Sequence, residues 1–222
     1  MAELIDDSKF RSFESSSLPT GEGIVIDIGT GDGSFVYHCA REQPRKFFIG
    51  IDANPRPLQK ISEKVHRNPK KGGLPNVLFL QAGVEDLPAE LDAIADEVHV
   101  HFPWGSLLGG VAGAGNITVL KNLRRLCLTG ALLEVVIGLD SERDKAELNR
   151  LQIPPFDLEY IDKVLAGYYR RAGFEIVERG QRAFSEWPDL HSSWAKRLKG
   201  RPGRQLTYLI GQAISFNAPA SG

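Results

Sequence analysis

The sequence predicts an α/β fold: a doubly wound, mostly parallel, seven-stranded sheet whose last strand runs antiparallel. Three observations carry this. Apolar strand-like runs alternate with helix-like segments along most of the chain. A glycine-rich turn, Asp27-Ile28-Gly29-Thr30-Gly31-Asp32-Gly33, stands directly behind the first apolar run, Ile24-Val25-Ile26. The final two apolar runs come without a full helix between them, which suits an antiparallel pair closing the sheet.

The elements follow in order. Residues 24–28 read as the first strand and 34–42 as a helix that ends before Pro44. Residues 46–51 form the second strand, ending at Asp52. Pro55 and Pro57 then turn into a helix carrying Leu58, Ile61 and Val65 at helical spacing. Residues 76–81 and 97–102 are the third and fourth strands, the latter running into Pro103-Trp104-Gly105. Helical spacing returns over 117–128, ended by Gly130, and 131–137 is the fifth strand. Residues 141–151 and 158–172 read as helices, 174–178 and 206–210 as the last two strands. Parallel strands joined by helices need right-handed crossovers, so both faces of the sheet should be covered. One domain over 24–216 is expected, with an N-terminal extension over 1–23, an insertion over 185–204 and a flexible tail over 217–222.

Composition excludes several classes. Among 222 residues, 42% hydrophobic, no run reaches membrane-spanning length, and the acidic start Met1-Ala-Glu-Leu-Ile-Asp-Asp7 has no signal-like apolar core. A cytoplasmic protein with no membrane partner is expected. Cys39 and Cys127 both sit in apolar settings that suit packing. The five histidines show no zinc-like spacing with cysteine or with each other, so no metal site is expected. A net charge of −1 argues against an indiscriminate nucleic-acid binder, yet charge is segregated. Six cations lie between Arg56 and Lys71 against one acid, and five between Lys196 and Arg204 against none. Residues 85–97 hold six acids and no base. Segregation of this kind can give a neutral protein one basic face.

The glycine turn sets the cofactor. Dinucleotide sites space their glycines as G-x-G-x-x-G, seating a pyrophosphate on the helix N-terminus. Here they alternate as G-x-G-x-G behind Asp27, a carboxylate that would repel pyrophosphate and attract the ammonium of a methionine-derived ligand. S-adenosylmethionine (SAM) is therefore expected on a class I SAM-dependent methyltransferase fold. Gly29, Gly31 and Gly33 would cradle it with Asp27. Asp52, at the end of strand two, can accept both ribose hydroxyls. Val84 would pack on the adenine, with Glu85 beside it.

Two tryptophans point to a planar substrate. Trp104 follows strand four, beside the expected position of the reactive methyl, and Trp194 lies in a cationic stretch with little core around it. An aromatic among Lys196, Arg197, Lys199, Arg201 and Arg204 suggests a stacking platform beside a phosphate-binding edge. Together the two would sandwich an extruded base.

From Ile24 to Ile214 the chain resembles the aminoglycoside-resistance methyltransferases that modify N1 of adenine 1408 in 16S ribosomal RNA. The resemblance rests on Asp27-Ile-Gly-Thr-Gly-Asp-Gly33, Ile49-Gly-Ile-Asp52, Lys71-Gly-Gly-Leu-Pro-Asn-Val77, Phe102-Pro-Trp-Gly-Ser-Leu-Leu108 and Ser193-Trp-Ala-Lys-Arg-Leu198. It implies that Trp104 and Trp194 hold a flipped adenine and that Pro103, Ser106 and Ser192 line the cofactor pocket. It places Lys64, Arg67, Lys70, Lys71, Arg150, Lys196, Arg197, Arg201 and Arg204 against RNA. The implied partner is the 30S subunit at the helix 44 decoding site, met by a monomer. Adenine N1 has an in-plane lone pair and no proton, so no general base is required. The sequence departs from the family in two places. Residues 1–23 show no evident β-hairpin, and Asp144 and Arg150 match the family's acid and arginine after strand five only approximately. Two other readings stand beside this one: a transfer RNA guanine-N7 methyltransferase, and a SAM-dependent RNA-binding module without catalysis.

Overall fold

The computed structural model describes residues 3–4, 22–113, 115–183, 186 and 204–215. Most of the N-terminal extension, nearly all of the 185–204 insertion and the 217–222 tail lie outside the described residues. The strands are β1 (Glu3–Leu4), β2 (Ile24–Ile28), β3 (Phe47–Asp52), β4 (Val77–Gln81), β5 (Ala95–His101), β6 (Cys127–Leu139), β7 (Phe174–Ala183) and β8 (Gln205–Ala213). They form one sheet in the order β1-β4-β3-β2-β5-β6-β8-β7. Strands β2 to β6 are parallel, and β8 lies antiparallel between β6 and β7. The seven-stranded sheet with its antiparallel last strand is thus present. The addition is β1, two residues paired antiparallel on the outer edge of β4. A pairing that short leaves no periodicity to read.

Both faces of the sheet are covered and carry apolar residues, although β2, β5 and β6 also place Asp27, Glu97, His99, His101 and Glu134 on the α1 face. On one face Val25, Phe48, Val77 and Phe79 pack with Val36, Tyr37 and Ala40 of α1 (Ser34–Glu42) and Val65 of α2 (Gln59–Val65). The other face carries Ile26, Ile49, Ile51, Val98, Val100, Leu133 and Val135. It is covered by α3 (Gly105–Ala112), α4 (Thr118–Leu126), α6 (Leu158–Tyr160) and α7 (Ala166–Ala172), with α5 (Lys145–Arg150) beyond β6. Helix α4 turns Val119, Leu120, Leu123 and Leu126 into that core, the stripe its sequence spacing predicts. Both cysteines are free, and burial pushes each thiol up to about 12, as packing residues require. Among the described residues no helix is long and apolar enough to cross a membrane.

Helix α3 departs from expectation. Its sequence, GSLLGGVA, is a poor helix former and reads as a Pro-Trp-Gly turn. Tertiary packing wins: Leu108, Val111 and Ala112 are fully buried, and two tyrosine hydroxyls cap the helix end. Tyr169 donates to the Val111 carbonyl and Tyr160 to the Ala112 carbonyl, each at 3.0 Å. These are C-terminal carbonyls that no helical N–H can reach. Both tyrosines come from the helical segment that contains a π turn at Ile161–Leu165 between α6 and α7. Uninterrupted α-helix would set residues 160 and 169 on opposite sides. The wider π turn rotates less per residue and lets both hydroxyls reach α3.

Tyr169→Phe strands the buried Val111 carbonyl and should lower unfolding free energy by about 1–3 kcal/mol in urea denaturation. An unchanged midpoint would mean that the hydroxyl contributes nothing to holding α3.

Candidate cofactor and substrate site

Strand order reverses at β2, which has β3 on one side and β5 on the other. Connections leave the carboxyl ends of these strands in opposite directions and open a crevice between them. A cavity of about 530 Å³ occupies that crevice. Its wall includes Gly29, Gly31, Asp52, Val84, Glu85, Pro103, Trp104 and Ser106, with Gly138, Asp144 and Arg204 on the β6 side. Seven of the ten expected cofactor residues are therefore together, counting these without Trp104 and the β6 side.

The three glycines divide their work. Gly31 has φ +63°, and a Cβ there would meet nothing within 4 Å, so its bare face opens on the cavity. Gly33 has φ +68°, but a Cβ would fall 2.6 Å from Phe79 Cε1 and 2.8 Å from Ile61 Cγ2. Its absent side chain lets the start of α1 close onto the sheet, and it does not line the cavity. Asp27 does not line it either. It lies 3% exposed beneath the glycine turn, where burial pushes its carboxyl up while His101 and His99 oppose the shift.

Asp52 is held in place by backbone donors. Gly31 N–H donates to its Oδ2 and Asn54 N–H to its Oδ1, each at 2.8 Å. One lone pair of each oxygen is then satisfied, and the others remain for a pair of ligand hydroxyls. Val84 is buried, and the Asn122 amide donates to its carbonyl at 3.0 Å, fixing the loop that carries exposed Glu85.

The opposite wall begins where β5 ends. Phe102 has φ +50°, an unfavourable backbone conformation for a bulky residue, and its N–H donates to Val136 O at 2.7 Å. Gly105 follows at φ +60°. Between these two left-handed residues the chain swings outward and presents Trp104, 53% exposed, at the cavity mouth and at the N-cap of α3. Backbone strain of this kind typically costs about 1–3 kcal/mol and persists where the surroundings fix it.

Arg204 and Asp144 form a feature that sequence spacing does not show. The guanidinium donates to both Asp144 oxygens, at 2.9 and 3.1 Å, and to Gly138 O at 2.9 Å. Each side chain is 8% exposed. Arg204 is thus built into the cavity wall, away from the exposed position an RNA contact would use. Arg150 is exposed and forks onto Glu147 at 2.7 Å. On the far side Lys64 Nζ lies 3.8 Å over the Tyr37 ring, while Arg67, Lys70 and Lys71 are exposed. Ser192, Trp194, Lys196, Arg197 and Arg201 lie outside the described residues.

Residues 7–213 match the NpmA family model, described as 16S rRNA (adenine(1408)-N(1))-methyltransferase. A protein of that name from Streptoalloteichus hindustanus is 35% identical over 182 residues, 82% of each chain. The crystal structure of the aminoglycoside resistance methyltransferase NpmB1 superposes with a TM-score of 0.82 at 39% identity, covering 96% of this chain and 100% of the other. A point mutant of the Catenulisporales acidiphilia 16S rRNA (adenine(1408)-N(1))-methyltransferase, solved with cosubstrate SAM, superposes at 0.88 with 27% identity, covering 99% and 100%.

The glycine division is testable by pairing two variants. Gly33→Ala should destabilise by about 1–3 kcal/mol through overpacking, with the folded protein binding SAM normally by calorimetry. Gly31→Ala should instead weaken SAM at least about tenfold, equivalent to 1.4 kcal/mol. The reverse pattern would refute the assignment.

Proposed function

Because the chain belongs to the 16S rRNA (adenine(1408)-N(1))-methyltransferase family, we propose that it transfers a methyl group from SAM to N1 of adenine 1408. The substrate is the decoding site of the small ribosomal subunit, and the consequence is aminoglycoside resistance. The observation that carries this reading is Trp104, a half-exposed indole at the mouth of a cofactor-sized crevice in a chain matched to the family over residues 7–213.

The crevice suits SAM on its own geometry. Gly31 offers a bare backbone face, and Asp52 keeps lone pairs for two ribose hydroxyls. Val84 provides an apolar surface for the adenine ring, and Pro103 and Ser106 face the opposite end. SAM supplies an electrophilic methyl group carried on a sulfonium.

The remaining work is positioning. Adenine N1 has a lone pair and no proton, so no side chain has to remove one. Asp52, Glu85 and Asp144 are the carboxylates of the described cavity wall, and the reaction asks none of them to act as a base. Trp104 stacks on the target base from one side and Trp194 from the other. Flipping the base out of its helix costs a few kcal/mol, and stacking returns about 1–3 kcal/mol per base. Methylation leaves positive charge on the adenine, which indole faces stabilise as it develops. The exposed cations Arg67, Lys70 and Lys71, with Lys64 held against Tyr37, offer phosphates of the same RNA a surface away from the target base. Holding two reactants in a near-attack pose can supply roughly 7–11 kcal/mol.

Methyl transfer from labelled SAM to purified small subunits tests the proposal. Trp104→Ala and Trp194→Ala should each reduce the initial rate at least about tenfold, the lower end of a 1–3 kcal/mol stacking loss, with SAM affinity unchanged. Trp104→Phe should keep most activity. Full activity in both alanine variants would rule out the two-indole clamp.

A further inference from the structure

Asp27, His99 and Glu134 are direct cross-strand neighbours on β2, β5 and β6. Their side chains therefore leave one face of the sheet side by side. Alternation along β5 puts Glu97 and His101 on the same face. The Phe35 ring of α1 lies against both imidazoles, its centroid 5.5 Å from that of His99 and 4.7 Å from that of His101. None of these five ionisable residues lines the cofactor cavity, and methyl transfer as derived above uses none of them.

Their polar atoms are only half accounted for. His99 Nε2 lies 3.4 Å from Glu97 Oε2, and His101 Nε2 lies 2.6 Å from Glu134 Oε1. Nδ1 of both rings and Oδ1 of Asp27 are buried without a hydrogen-bond partner among the described residues. The His101 side chain is 5% exposed, which keeps bulk solvent away from it. His99 Nδ1 stands 3.9 Å from the Glu134 oxygen that His101 already contacts. One ligand atom from each of His99, His101 and Glu134 lies within 4.8 Å of the others.

We propose that His99, His101 and Glu134 bind a divalent transition ion of the zinc class. Two imidazoles and a carboxylate are a ligand set for Zn²⁺, Co²⁺ or Ni²⁺, whereas Ca²⁺ and Mg²⁺ prefer oxygen ligands alone. A small closure of the three side chains brings their ligand atoms to roughly 2.0–2.2 Å from one ion. Glu97 stands behind the His99 ring, on the nitrogen facing away from Glu134, the arrangement in which a carboxylate fixes a metal-bound imidazole. Asp27 is the neighbouring carboxylate on the β2 side. The Glu97 and Glu134 side chains are 34% and 31% exposed and give an ion its way in from solvent. Bound there, the ion ties β5 to β6 immediately before the strained Phe102-Pro103-Trp104 turn, so its role is structural. Histidine spacing gives no sign of this because the third ligand arrives through sheet register, from a strand 33 residues further along the chain.

Untagged, metal-free full-length protein titrated with Co²⁺ tests the site. The expected result is one equivalent bound with visible d–d absorption, displacement by Zn²⁺, and a rise in melting temperature with either ion. His99→Gln, His101→Gln and Glu134→Gln should each lose the band, and Glu97→Gln should weaken binding about 10–100-fold. His66→Gln, an exposed histidine beyond α2, should change nothing. Circular dichroism checks folding of each variant, and half-exposed Glu134→Gln serves if a histidine variant fails to fold. No band and no thermal shift in the wild-type protein would overturn the proposal. So would a band that survives in Glu134→Gln.

Discussion

The hydrogen bond from Gly31 N–H to the Asp52 carboxylate is the contact on which the cofactor site depends. It joins the turn after β2 to the end of β3, two strands that run parallel and whose helices depart to cover one face. Together with the Gly29 and Thr30 N–H groups, which both donate to the Ile51 carbonyl, it holds the glycine turn against the end of β3 and clear of the crevice. The same contact leaves Asp52 facing the cavity with acceptor capacity to spare. This half-buried hydrogen bond therefore helps shape the loop and orients the residue suited to a ribose. Gly33 supports it from behind, by letting α1 start close against Phe79 and Ile61.

The substrate side is built from a different kind of constraint. Phe102 is held in a left-handed conformation by its bond to Val136 O, against the extended backbone that the following proline favours, and Gly105 turns the chain again. Helix α3 has little intrinsic tendency to form, yet it must start at Trp104 for the indole to stand at the cavity mouth. Tyr160 and Tyr169 secure its far end, and the π turn brings both hydroxyls to it. Trp104 is thus positioned by residues distant in sequence, all of them concerned with packing α3. The Arg204 to Asp144 pair closes the remaining wall. It joins the residue just before β8 to the segment after β6. Breaking a buried pair of this kind typically costs about 3–5 kcal/mol.

Much of this is legible in the sequence because it is local. Strands β2 to β4 each open on an apolar run, the alternating glycines follow the first of them directly, and Asp52 ends the second. Trp104 stands out by its place between proline and glycine after a strand. What escapes the sequence is non-local or conformational. The φ of Phe102 has no compositional signature. Helix α3 is stabilised by burial against its own propensity, and β1 is too short to show a period. Gly33 looks like its neighbours until Phe79 is found against it. Arg204 reads as one more cation in a basic run, and only the fold shows Asp144 enclosing it. The cluster of His99, His101 and Glu134 likewise exists only once β5 and β6 are placed in register.

The chemistry at the target base can be read directly. Small ribosomal subunits incubated with the protein and SAM are extracted, and their 16S rRNA is copied by reverse transcriptase. A methyl on adenine N1 blocks Watson–Crick pairing and stops the enzyme, whereas one on guanine N7 leaves pairing intact. A single SAM-dependent stop at adenine 1408 is the expected result. Methyl incorporation without that stop, or a stop at any other nucleotide, would contradict the assignment of the crevice, Trp104 and Trp194 to adenine N1.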